Sequence, residues 1–238
     1  MAYTYSSWQN ALSILMVQAT SDSNFQGILP SIIDYAEQRI YRELDLLSTV
    51  VRDTTGSLTA NSRDFVLPVG SQGKFVVTNG INVFTPVGTT TKRNPMVPTS
   101  RDFIDLAWPS AQSVSTTDIP SYFAMIDDQH IIVGKPPGAN FTVEVIGTIR
   151  PTPLSGTNPS TFLTQYLPDL WMAATMIFAS GYQKNFGSQA DQPQMAQSWE
   201  SQYQLLKSSA DLENMRKKWQ ATNWTSQNNS PFATPPRS

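Results

Sequence analysis

The 238-residue chain contains no cysteine. That excludes disulfides, thiolate zinc sites and thiol nucleophiles. His130 is its single histidine, so a general base or metal ligand there has no imidazole companion, and a structural place in the strand-like QHIIVG is expected. Charge is scarce too: Asp, Glu, Lys and Arg make up 14% of residues, against about 25% in an ordinary soluble domain. Their balance is −2, so no basic field advertises a nucleic-acid partner. No apolar run reaches the ~20 residues of a membrane span. The opening MAYTYSSWQNALSILMVQAT lacks the basic start and long apolar core of a signal peptide. A soluble chain without a membrane partner is expected.

Catalytic motifs are missing as well. Ser180-Gly181 lacks the flanking glycines of a nucleophile elbow. Gly134-Lys135 stands before two prolines, without the Ser/Thr of a phosphate loop. Asp34, Glu37, Glu43 and Asp45 share a stretch with Arg39 and Arg42, which suits a solvated or intersubunit face with i,i+4 pairs. Only a carboxylate-based hydrolase survives these absences, and no acid pair is marked out for it. Neither an enzyme nor a cofactor is expected.

Helical periodicity is present at both ends of the chain. Trp8, Leu12, Leu15 and Ala19 recur at helical spacing. A second helix is expected from Pro30, a residue suited to a first turn. Its stripe is Ile33, Ala36, Ile40, Leu44 and Leu47, with Glu37, Arg39, Arg42 and Glu43 on the other side. From Ser48 the texture becomes short Val/Ile/Phe/Thr runs bounded by Gly, Pro, Asn or Asp, the mark of strands and tight turns. Asn79-Gly80 predicts one hairpin, Asp127-Asp128-Gln129 a second, and RDFIDLAW a helical interruption. Helices return with a lead-in, a start at Pro168-Asp169 and a last long helix from about Gln192. That last helix carries Met195, Trp199, Tyr203, Leu206, Ala210 and Trp219, then the basic cluster Arg216, Lys217, Lys218. The cluster suits either a helix end or docking on an acidic surface.

The order predicts an α+β fold. Residues 1–48 and 156–222 close into one helical bundle, 49–155 form an inserted antiparallel β-domain, and 223–238 form a flexible, Pro-rich C-terminal tail. YLPDLWMAATMIFASGYQKNFG has no charge between Asp169 and Lys184. A helix apolar all round belongs in a bundle centre; the alternative is that one of its faces also packs on a neighbouring subunit. Leu170, Ala173, Ile177, Trp199 and Leu206 are the expected bundle core.

Three segments then carry a resemblance: IIDYAEQRIYRELDL, SYFAMIDDQHIIVGKPPGANFTVEVIGTIRPTPLS and NPSTFLTQYLPDLWMAATMIFAS. In this order they resemble head-to-tail adaptor (connector) proteins of tailed bacteriophages, of the tail-tubular or gatekeeper type found in short-tailed phages. Residues 85–117 and the tail after Trp224 fall outside the likeness. The resemblance implies a structural virion protein, assembled in the host cytoplasm. It implies a ring of about twelve copies below the portal, which extends the DNA channel without sequence-specific binding and meets a nozzle or tail-tube protein, and possibly fibre proteins. A flexible C-terminus that docks on the portal would use Phe232, Pro235, Pro236 and Arg237. Ring packing would set Arg216, Lys217 and Lys218 against Glu37, Glu43 and Asp45. The alternative is a tail-fibre attachment or baseplate-like protein, expected to be trimeric with a coiled-coil stalk.

Overall fold

A computed structural model describes residues 2–69, 73–87, 90–113, 115–182 and 193–221. Among these the chain is α+β, with six helices and two four-stranded sheets. It divides into two compact units, Met1–Ser48 with Pro153–Ser238, and Thr49–Thr152.

The helical unit begins with α1 (Tyr5–Met16), where Thr4 and Ser7 form a reciprocal capping box. Its buried stripe is Trp8, Leu12 and Met16. Leu15 is exposed and Ala19 lies beyond the helix, because Val17 turns left-handed and stops it. The helix α2 (Ser23–Glu43) starts earlier than expected, with Pro30 inside it. The Asp22 carboxylate accepts the amides of Asn24 and Phe25 at 2.7 and 3.0 Å, which satisfies two otherwise unpaired donors. Burial of Phe25 and Leu29 then offsets the hydrogen bond that Pro30 removes.

After α4 (Phe162–Tyr166) comes α5 (Pro168–Tyr182), the uncharged helix. Every residue from Leu170 to Met176 is buried, because α1, α2, α4 and α6 (Pro193–Ala221) all pack on it. Its apolar circumference is covered within one chain. Trp8 and Trp171 meet at 5.9 Å between ring centroids at the α1 contact.

The β-unit holds β1 (Val50–Leu58), β2 (Asp64–Val66), β3 (Gly73–Val87), β4 (Thr90–Pro95), β5 (Val97–Pro98), β6 (Tyr122–Met125), β7 (His130–Gly134) and β8 (Phe141–Pro151). One sheet runs β1-β8-β3-β4, the other β2-β7-β6-β5. Pairing is antiparallel except for β5 with β6. Val143 and Val145 from one sheet, Ile131 and Val133 from the other, share a single core. A satellite cluster of Ile104, Ala124 and Ile132 lies under α3 (Arg101–Ala107).

Asn79-Gly80 does not turn the chain. β3 runs through it as one 15-residue strand, paired with β8 from Gly73 to Phe84. Register shifts at Phe75/Val77 and Thr78/Gly80 absorb the extra residues. A long partner strand therefore overrides the local preference of Asn-Gly. At the first shift, a Cβ on Gly147 would stand 2.3 Å from the Val77 carbonyl oxygen. Gly147→Ala is expected to cost the β-unit about 1–3 kcal/mol by overpacking, measured as a lowered urea midpoint. An unchanged midpoint would show that β3 gives way freely. The second hairpin does form: the Ile126 amide donates to the His130 carbonyl at 2.8 Å, and the Asp127 carboxylate takes the Gln129 and His130 amides.

Candidate assembly surfaces

A polar seam joins α2 to α6 inside the helical unit. The Arg39 guanidinium grips Glu200 with two hydrogen bonds of 2.7 and 2.5 Å and donates through Nε to Glu43 at 3.0 Å. It also lies over the Tyr203 ring, 4.3 Å from its centroid. Glu43 further accepts the Tyr203 hydroxyl at 3.1 Å and pairs with Lys207 at 2.8 Å. Burial opposes its charge, yet Lys207, Arg39 and Tyr203 hold the Glu43 carboxyl below its usual range. Such a bidentate, stacked arginine fixes the geometry as well as adding energy.

Glu37 stands apart from the charged side of α2 expected for it. It is 4% exposed, and its carboxylate accepts the Leu154 amide at 3.0 Å where the chain re-enters the helical unit. Burial, with a smaller push from Asp34, raises its carboxyl to about 7 against the pull of the Leu154 amide. Asp45 receives Lys218 from the same chain, and Asn214 bridges the Asp45 carbonyl and the Leu47 amide. Lys217 pairs with Glu213 at 2.5 Å. Most of the charges assigned to ring packing thus have partners inside one chain: Glu43 and Asp45 pair with lysines of α6, Glu37 with the Leu154 amide, and Lys217 with Glu213 of its own helix. Arg216 is exposed.

Among the described residues no group of three His, Cys, Asp or Glu is placed to hold a metal, and no helix is long and apolar enough to cross a membrane. Against known families, the chain matches the SU10 adaptor protein family over residues 3–231. It belongs to that family. The protein is therefore a phage head-to-tail adaptor, a structural component of the virion. No curated protein matches it.

On this adaptor the other expected residues fall as follows. Leu170 and Ala173 are buried, and Ile177, Trp199 and Leu206 pack half-buried against the same core. Phe232, Pro235, Pro236 and Arg237 lie outside the described residues. His130 sits at the hairpin end, its Nδ1 2.8 Å from Asp127 and both side chains about half exposed. In the β-unit, Glu144 is fully buried on the β1-β8-β3-β4 sheet, held by Arg52, Arg93 at 2.9 Å and the Asn82 amide at 2.7 Å. Sequence reading had not singled it out, since one Glu among Val and Ile looks like any outward strand residue. It also missed that α6 has two apolar sides. Trp219, expected in the inner stripe, is exposed in line with Leu205 and Leu212, a seven-residue spacing that was available to find it.

Proposed function

We propose that about a dozen copies of this adaptor close into a ring beneath the portal of the phage head. The ring extends the path of the DNA without sequence-specific contact and offers a platform to the next tail component, after assembly in the host cytoplasm. The observation that carries this reading is the family match over residues 3–231. A chain with 14% charged residues, whose polar seam is satisfied internally, fits repeated side-by-side burial.

The reading is tested by making phage without the adaptor. The expected result is DNA-filled heads that lack tails and leak their genome. Complete tailed particles that fail only to attach to cells would instead favour a fibre-attachment role. Within this reading, Phe232, Pro235, Pro236 and Arg237 dock on the portal. A chain ending at residue 222 is expected to melt like the full chain but to lose portal binding in sedimentation. Undiminished binding would remove the tail from the interface.

A further inference from the structure

The β-unit carries charges of opposite sign on its two sides. Its sheets enclose one core, so their outer faces point away from each other. On the β1-β8-β3-β4 sheet, Val143, Val145 and Ile149 face that core, and alternation turns Glu144, Ile146 and Arg150 outward. Register then puts three more cations on the same face: Lys74 opposite Arg150, Arg52 opposite Ile146, and Arg93 opposite Phe84, itself opposite Thr142. Four cations stand there against one carboxylate, which is already paired. Glu144 Oε1 accepts both Arg52 and Arg93, and Oε2 takes the Asn82 amide. Two guanidiniums thus share one buried carboxylate, while their own side chains stay 56% and 50% exposed. No carboxylate pairs with Lys74 or Arg150 among the described residues.

The other side has the opposite balance. Asp64 of β2 lies opposite Ile132, which packs beneath α3 with Ile104 and Ala124. Asp64 and α3 therefore share the outer side of the second sheet. His130, two residues from Ile132 along β7, faces the same way and holds Asp127 at 2.8 Å. The arginines of this side, Arg63 and Arg101, both go to Asp105, at 2.5 and 3.5 Å. That leaves Asp64 and Asp102 exposed without a cation among the described residues. Apolar surface accompanies the charge on both sides. Val77 is 54% exposed on the first, opposite Thr148, and Leu106 85% and Phe103 44% on the second.

We propose that the arginine face of the β1-β8-β3-β4 sheet packs on the α3 side of the β-unit of the next copy. This rests on the ring reading above and names a seam within it. A face meant for duplex DNA is polar as well as basic, whereas Val77 leaves exposed apolar surface beside the cations here. Its partner has to supply carboxylates and apolar surface together, and the far side of the same unit has both. Pairing either face with itself would set like charges against each other. Pairing unlike faces on opposite sides of one unit repeats from copy to copy, which is what closes a ring. Glu144 is the positioning residue: it fixes both guanidiniums before contact, so less side-chain freedom is lost on docking.

Two experiments on the full-length adaptor mixed with portal test the seam. Asp64→Lys with Asp102→Lys changes exposed positions and makes both sides basic. Its thermal unfolding is expected to match the parent, while ring formation, followed by light scattering, falls by at least about tenfold. The absence of native cysteine allows the second. Val77→Cys and Leu106→Cys chains treated with a short bis-maleimide should give covalent dimers when mixed, and none when either is treated alone. Normal rings of the double-Lys variant, or cross-linking of one cysteine variant with itself, would overturn the seam while leaving the ring reading intact. Lys74→Glu rings that form normally but lose their hold on duplex DNA would give the arginine face to DNA and overturn the seam as well. Parent protein that forms no ring even with portal would overturn both.

Discussion

Trp171→Ala is expected to lower the stability of the helical unit by about 3–5 kcal/mol, the cost of emptying a fully buried aromatic site. Trp171 lies on α5, where it meets Trp8 of α1, and the Trp8 indole donates weakly to Thr175 at 3.4 Å. Removing it therefore loosens α1 from α5. Trp171→Phe should cost less than about 2 kcal/mol, because the Trp171 indole N–H is buried without a hydrogen-bond partner among the described residues, and its loss recovers part of the desolvation penalty. Denaturant unfolding of the two variants decides this. Equal losses for Ala and Phe would mean that the site can collapse around any smaller residue.

Glu37→Gln is expected to stabilise the adaptor at pH 8 by about 1–3 kcal/mol. The folded-state carboxyl is raised from 4.5 to about 7, so the folded chain favours the protonated form. Below about pH 4.5 both folded and unfolded chains carry the proton, and no penalty exists. Between there and about pH 7 the unfolded chain releases its proton first, and stability falls as pH rises. Above that range the whole penalty is present. Gln keeps an oxygen for the Leu154 amide and has no charge to bury. Burial and the neighbouring Glu37 charge also push the Tyr41 hydroxyl up, so Tyr41 stays neutral throughout. Melting temperatures of parent and variant should coincide at low pH and part as pH rises. A gap that is constant with pH would show that the carboxyl does not titrate in this window.

The all-round apolar helix was legible because nothing but burial explains fifteen residues with a single charge, Asp169, at the first turn. The β-insert was legible from its punctuation. What escaped was set by tertiary partners. Asn79-Gly80 reads as a turn until an eleven-residue strand, β8, is laid beside it. Pro30 reads as a helix start until Asp22 caps the chain two turns earlier. Glu37 reads as solvent-facing until the returning chain brings the Leu154 amide to its carboxylate. The assembly residues were hardest. Charges draw attention in a sparsely charged chain, yet Glu43, Asp45 and Lys218 find partners within it, while Leu205, Leu212 and Met215 of α6 carry exposed apolar surface.

The central claim is that this adaptor becomes a ring at the portal. The direct test is the mass of the purified protein by native mass spectrometry, alone and mixed with the portal encoded in the same genome. The account predicts one defined species of about a dozen adaptor copies on the portal. A stable trimer that ignores the portal would contradict it.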